Sequence, residues 1–442
     1  MPIPDLFRTH SLDKHPKGDA IRQILSSSIQ AVDPNTLVQQ FIQRDRNTLW
    51  INGNMYPVEQ GRIVLLGLGK AANAMVSPIA DLLADLNPRG LVIPKSNTGD
   101  SWESIEIQPS GHPIPNENSL LAGAKAIKLL EDLSEKDLLI CLISGGGSSL
   151  MMTPLPGIHL SEIRQLNSTL LSCGAAIDEI NIIRRHIDQL KGGGLAKLTT
   201  HARVVSLILS DVIGNSLEAI ASGPTAPDPT TKEDALGILD KYRLGEKIPS
   251  AILTTLQNAS ETVKPGNKIF ENVSNIIIAS NETATKAAVE QARKEGFQSR
   301  SIGSSWQGEA RLIGSDLCAY FSNPGLEIPF CLVGGGETSV TIQGEGHGGR
   351  NQEMALAAVE KLTHKKNSML ITLATDGEDG ITDAAGAVVT NDTLQRGKDL
   401  GMEPGQFLER NDSYTYFDSL GDLFKPGASG TNVNDLYFLI VQ

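Results

Sequence analysis

Along most of the chain, short uninterrupted apolar runs alternate with stretches whose apolar residues recur every three to four positions. The first pattern marks strands buried on both faces and the second marks amphipathic helices, so their alternation predicts an α/β fold built in layers. Strands are expected at residues 62–67, 90–94, 137–144, 204–210, 274–280, 329–334, 340–343, 369–375 and 436–441, and helices at 19–31, 71–86, 118–133, 160–171, 177–190, 282–296 and 352–362. Between residues 225 and 272 the chain turns polar, with APDPTT and KPGN punctuating two short helical patterns. A boundary near the end of that stretch divides the chain into domains 1–270 and 271–442.

Composition narrows the function classes. A chain of 442 residues exceeds one ordinary core, which favours two domains. A net charge of −13 and an isoelectric point near 5.2 disfavour nucleic acid, whose phosphates demand a basic face, and aromatic residues at 4% offer little surface for stacking bases. Small anionic ligands remain compatible with local positive sites. Cys141, Cys173, Cys318 and Cys331 form no CxxC pair, so reduced thiols in a cytoplasmic protein are expected. The N-terminal stretch has no apolar signal core and no run approaches a membrane span of about 18 apolar residues, so no membrane partner is expected.

Several glycine turns stand where chemistry would need them. IVLLGLGKAANAMV runs from a strand through Gly67 and Gly69 into a helix with Lys70 at the junction, the geometry of a phosphate site; neither a full GxGxxG nor a GxxxxGK[ST] is present. LISGGGSSLM ends an apolar strand in Ser144, Gly145, Gly146, Gly147, Ser148 and Ser149, all able to present N–H or hydroxyl donors to an anion. The GxSxG elbow is missing, which argues against a nucleophilic serine. VGGGETSVTIQ reads as strand, glycine turn and strand, with Gly334, Gly335 and Gly336 in the turn and Glu337 after it. GEGHGGRNQE then joins a loop of four glycines, suited to positive φ and close ligand approach, to Arg350 and Asn351 at a helix start, an arrangement built to hold an anion. The triple glycines of CLISGGGSS and CLVGGGETS suggest either a duplicated or a convergent ligand-binding turn.

Other polar groups are candidates with bland alternatives. His112 in SGHPIPNENS is either a substrate contact or a loop histidine, and Asn116 or Asn118 is placed to cap the next helix. Arg184, Arg185 and Lys191 in INIIRRHIDQLKGGGLA serve equally as ligand contacts or surface charge. Asp211, directly after the strand RVVSLILS, suits a magnesium ligand, a general base or a helix cap. Asp376, Glu378, Asp379 and Asp383 in TDGEDGITD offer hard oxygen ligands for Mg²⁺, or simply an acidic turn. Thr431 and Asn432 lie in a further small-residue loop before the last strand. Cationic glycine turns with carboxylates at strand ends together describe phosphoryl transfer, a chemistry of positioning and charge neutralisation.

In order along the chain, GLGKAANAM, SGHPIPN, LISGGGSSL, LKGGGLA, LSDVIG, IASGPTAPDPTT, GGETSVTIQGEGHGGRNQEMAL, TDGEDGITDAAGA and SGTNVNDL resemble the glycerate 2-kinase family, whose C-terminal portion is the MOFRL domain. The resemblance covers nearly the whole chain. It implies ATP- and Mg²⁺-dependent phosphorylation of D-glycerate on its C2 hydroxyl. It also implies a larger Rossmann-like N-terminal domain, a smaller α/β C-terminal domain and an active site in the cleft between them, with a homodimer left open. Lys70 and Arg350 match the family's basic active-site positions. On this reading Lys70, Arg350 and Asp211 are catalytic, and Asp211, Asp376 and Asp379 are the metal candidates. The cofactor set comprises Gly67, Gly69, residues 144–149, Gly335, Gly336, Glu337, Asn351, Thr431 and Asn432. Gly194, Asn215 with Ser216, and Gln343 depart from the family pattern, which leaves Asp211 as the surviving carboxylate of its motif. The rivals are a hydroxypyruvate reductase, a name often attached to this family, and a non-catalytic sugar-acid or nucleotide sensor.

Overall fold

The apolar run IVLLGL forms the strand Ile63–Leu68, buried along its whole length, in a computed structural model that describes residues 3–58, 61–97, 99–199, 201–322 and 325–442. These residues fall into two compact units, 34–278 and 1–33 with 279–442.

In the first unit, the described residues form a six-stranded sheet in the order Ile105–Ile107, Arg89–Ile93, Ile63–Leu68, Leu138–Ile143, Arg203–Leu209, Val273–Ala279. The first five strands run parallel. The chain starts at Ile63–Leu68, steps outward twice, then returns to the other side of that strand and steps outward again. This is the Rossmann-type order, and the reversal between Ile63–Leu68 and Leu138–Ile143 opens a crevice at the carboxyl ends of these two strands. Helices cover both faces. Leu66 and Leu68 share a core with Ala122 and Ala126 of helix Glu117–Leu130, whereas Gly67 lies against Val76 of helix Ala72–Leu82. Helices Leu160–Ser172, Ile177–His186, Lys232–Lys241 and Ser250–Asn258 build a second apolar cluster around Ile163, Ile183, Leu239 and Ile252.

Two local expectations change here. The helix expected to reach 190 stops at His186, because the Asp188 carboxylate gathers the N–H groups of Thr153 at 3.0 Å and Leu190 at 2.9 Å into a turn. An antiparallel meander of Ile42–Asp45, Thr48–Ile51 and Asn54–Pro57 precedes the parallel sheet, and these four-residue strands of mixed polarity carry no apolar run to announce them.

The second unit centres on the buried strand Asp435–Val441, antiparallel to both Phe330–Ser339 and Ser368–Ala374. Gly386–Thr390 and Leu423–Phe424 extend the sheet on one side, and Gln298–Ser301 with Trp306–Glu309 pair with Phe330–Ser339 on the other. Helices Ala310–Leu317 and Arg350–Leu362 cover the face that carries Leu332, Leu370, Tyr437 and Leu439. Residues 3–33 group with this unit, and along the chain the two units divide again between Ile278 and Ala279. The reason is long-range closure that no local pattern displays. Helix Gly18–Gln30 packs on helix Asn281–Lys294, Ser11 N and Oγ both donate to Asp422 at 2.8 Å, and Thr431 Oγ1 donates to Val32 O at 2.6 Å.

Residues 334–336 are not a turn. They lie inside Phe330–Ser339, paired with Tyr437, Leu436 and Asp435, and residues 340–343 form no strand. A side chain at Gly335 would overlap Asn281, and one at Gly336 would overlap the Trp306 backbone, so these glycines serve close packing. The two triple-glycine motifs therefore have different structures, and the suggested repeat has no counterpart in the fold.

Candidate active site

At the crevice of the parallel sheet, the loops after Leu68 and Ile143 are laced together. Ser144 N donates to Leu68 O at 2.9 Å, Lys70 N to Gly145 O at 2.9 Å, and Ala71 N to Ser144 Oγ at 3.0 Å. Ser144 thus caps the helix Ala72–Leu82, and Gly69, at φ 124°, leaves room for it. Past Ser144 the backbone turns sharply at Gly146, φ 88°. Among the described residues, the N–H groups of Gly145, Gly146, Gly147 and Ser148 have no protein acceptor, so four consecutive donors form a nest suited to an anion.

Three polar side chains stand around this nest. Gly146 has His112 Nε2 3.0 Å and Lys70 Cγ 3.4 Å from where a side chain would start, so the exposed Lys70 and the ring of His112 both border the turn. A side chain at Gly145 would overlap the Asp211 carboxylate, which therefore lies against the backbone of the nest. Gly145→Ala must displace Asp211 and is expected to lower kcat about 100-fold. Gly237→Ala, on the exposed face of helix Lys232–Lys241 with open space around it, is expected to leave kcat unchanged and to add about 0.5–1 kcal/mol of stability. Steady-state kinetics and chemical denaturation of the two variants check this pair.

Burial, then the charges of Lys70 and Lys95, push the His112 imidazole down to about 4. The ring is accordingly neutral at physiological pH. An NMR titration is expected to show no His112 transition between about pH 5 and 8. Lys70→Met should raise its pKa while leaving it below 6.5, because burial, the larger cause, remains.

The floor of the nest is held by residues that the motif alone did not single out. Ala221 and Ser222 adopt left-handed φ of 50° and 61°, a strained pair followed by Gly223 at 59°. Ala221 packs against Gly147, and Ser222 Oγ hydrogen-bonds Ser148 Oγ at 2.7 Å. The KGGG turn braces them, since Gly192 N donates to Ser222 O at 3.0 Å and Gly193 N to Gly223 O at 2.8 Å. Lys191 is buried in an ion pair with Asp188 at 2.7 Å, and Arg185 pairs with the buried Asp228 at 3.0 Å. A cavity of about 670 Å³ lined by Arg185, His186, Lys191 and Glu261 thus has its strongest charges internally balanced.

In the other unit the sequence candidates are largely structural. Asp379 accepts from the N–H groups of Asn351 at 3.1 Å and Gln352 at 2.9 Å, capping the helix Arg350–Leu362. Its carboxyl is pushed up to about 6 by burial and by Asp435. Asn351 is fully buried, Thr431 anchors the N-terminal segment, and Asn432 accepts from Asn434 N at 3.0 Å. Gly335 N is taken by Gly303 O at 2.9 Å, and Gly67 lies within a buried strand, so neither presents a donor to a nucleotide. The glycines of residues 344–349 have no positive φ. A side chain at Gly344 or Gly346 would strike the backbone of Arg410, and one at Gly349 would strike Asp379. Close packing accounts for the glycines of this loop. Arg350 is gripped through Nε and Nη2 by Asp435 at 2.6 and 3.1 Å, and through Nη1 by Glu337 at 3.1 Å. Asp376 Oδ1 accepts from Glu378 N at 3.1 Å. Among the described residues no three His, Cys, Asp or Glu side chains gather into a metal site, and no helix is long and apolar enough to cross a membrane.

Comparison with known proteins agrees in both halves. Residues 20–257 match the family described as a domain of unknown function, DUF4147, and residues 330–435 match the MOFRL family. The chain is 37% identical over 431 residues to a glycerate 2-kinase of Pyrococcus horikoshii, covering 95% of this chain and 96% of that protein. It is 38% identical over 422 residues to the D-glycerate 2-kinase of Thermotoga maritima, covering 94% and 96%. The chain belongs to the glycerate kinase type 2 family. The crystal structure of the Thermotoga maritima glycerate kinase superposes with a TM-score of 0.84 at 37% identity, covering 95% of this chain and 98% of that one. The chain is also 35% identical over 428 residues to an Agrobacterium vitis protein named putative hydroxypyruvate reductase, covering 95% of this chain and 94% of that protein.

Proposed function

We propose that this member of the family is a glycerate 2-kinase, transferring the γ-phosphoryl group of ATP to the C2 hydroxyl of D-glycerate. The observation that carries the reading is the nest of four unpaired N–H groups at the switch point, bordered by Lys70. Phosphoryl transfer asks for such fixed dipoles and a mobile cation around oxygens whose charge redistributes as the new P–O bond forms and the bridging one breaks. The N–H groups of residues 145–148 hold phosphate oxygens, Lys70 neutralises them, and neutral His112 orients the substrate by hydrogen bonding. Arg350, held by Asp435 with a third of its side chain exposed, matches a basic active-site position of the family.

Magnesium is usually held by one or two carboxylates, waters and the nucleotide's own phosphates. Asp211, beside the nest, fits that mode, whereas both oxygens of Asp379 already accept from backbone N–H groups. When bound, Mg²⁺ offsets charge between the β- and γ-phosphates.

Hydride transfer fits less well. A dinucleotide pyrophosphate needs the N–H groups of the first βα turn, and here Lys70 N and Ala71 N are already donated to Gly145 O and Ser144 Oγ. The second strand ends at Ile93 before Pro94 and Lys95, with no acidic ribose ligand. ADP release from ATP, Mg²⁺ and D-glycerate tests the kinase reading. NADH consumption with hydroxypyruvate and no ADP would replace it with the reductase. Ligand-induced thermal stabilisation without turnover would replace it with the sensor.

A further inference from the structure

We propose that Arg184 recognises the carboxylate of the phosphoryl acceptor, so that the site selects small hydroxy acids over neutral polyols; this rests on the kinase reading above. Arg184 lies on helix Ile177–His186, whose Ile180 and Ile183 are buried in the helical cluster. Its side chain lines a small cavity together with Ser148, Ser149, Asn167, Asp188 and Lys191. Ser148 is the last residue of the N–H nest, so the cavity adjoins the nest.

The charges in this cavity do not balance. Lys191 is matched by Asp188 at 2.7 Å, whereas Arg184 has no carboxylate within 4.0 Å among the described residues. Its hydrogen bonds go to neutral amides. Nε and Nη2 donate to Asn167 Oδ1 at 3.1 and 3.0 Å, and Nη1 donates to Asn181 Oδ1 at 3.4 Å. A guanidinium carries five N–H donors, so two remain once these three are assigned. A half-buried, permanently charged fork with two spare donors is matched to the paired oxygens of a carboxylate. The adjacent Arg185 shows the contrast, since its charge is closed by Asp228. A phosphoryl group is the poorer occupant, because the nest with Lys70 already provides for its oxygens.

The test compares D-glycerate with its neutral isostere glyceramide in wild type, Arg184→Gln and Arg184→Lys. Wild type is expected to favour glycerate by about 100-fold in kcat/KM. Arg184→Gln should lose about that factor on glycerate through KM and stay within about threefold on glyceramide, with Arg184→Lys between the two. An equal loss on both acceptors would mark Arg184 as structural and overturn the proposal, as would a preference for glycerate that survives in the Gln variant. If wild type turns over neither acceptor, the kinase reading fails instead. Calorimetric titration with D-glycerate then still decides Arg184, because binding undiminished in the Gln variant overturns its role.

Discussion

Lys70→Ala is expected to lower kcat about 1,000-fold while leaving the KM for glycerate within about threefold and the stability within about 0.5 kcal/mol. The lysine is exposed, so its removal spares the fold, and the backbone bond from its N–H to Gly145 O persists. What disappears is a mobile cation beside the N–H nest. Such a charge acts mainly when the phosphoryl oxygens redistribute charge in the transition state, which places the loss in kcat. Lys70→Arg keeps the charge but changes its shape and reach, and should recover only part of the rate. Coupled measurement of ADP release across glycerate concentrations separates the two constants. A raised KM with unchanged kcat would instead make Lys70 an acceptor-binding residue.

Arg350→Ala acts on stability as well as rate. Asp435 is fully buried at the start of the central strand, and Arg350 holds both of its oxygens. Truncating the arginine strands that carboxylate, with an expected cost of about 3–5 kcal/mol. Burial pushes the Asp435 carboxyl up while Arg350 pulls it down, and burial prevails. Without Arg350 the carboxyl rises further. A carboxyl raised in the folded state takes up a proton on folding, so stability is greatest at low pH and falls as pH rises through the folded value. The variant should therefore lie closer to wild type at about pH 5 than at about pH 8. Restoring an apolar pair with Arg350→Met and Asp435→Leu together should recover much of the loss. Urea denaturation at both pH values checks each part, and an Arg350→Ala protein as stable as wild type at pH 8 would show that Asp435 finds another partner.

The parallel sheet was legible because its strands are buried on both faces and so appear as unbroken apolar runs, and the switch-point loops could be placed from the small residues at their ends. Short strands of mixed polarity, such as IQRD and NMYP, leave no such mark. Glycine misled twice for one reason. It is selected both where φ is positive and where another chain presses close, and the sequence does not distinguish the two. Gly146 is the first case, whereas Gly336 and Gly344 are the second. Asp379 was ambiguous in the same way, since a carboxylate after a strand can hold a metal or cap a helix, and the neighbouring N–H groups of Asn351 and Gln352 come from distant sequence. Arg184 and Arg185 are adjacent and chemically identical in the sequence. Only the placement of Asp228 and Asn167 separates a closed ion pair from a cation without a counter-ion.

The central claim is that this nest with Lys70 directs the γ-phosphoryl group of ATP to the C2 oxygen of D-glycerate. A proton-coupled phosphorus NMR spectrum of the product formed with ATP and Mg²⁺ tests it most directly. The expected spectrum is a phosphate resonance split by the single C2 proton, with one ADP for each phosphoglycerate. A resonance split by the two C3 protons, or no phosphoglycerate at all, would contradict it.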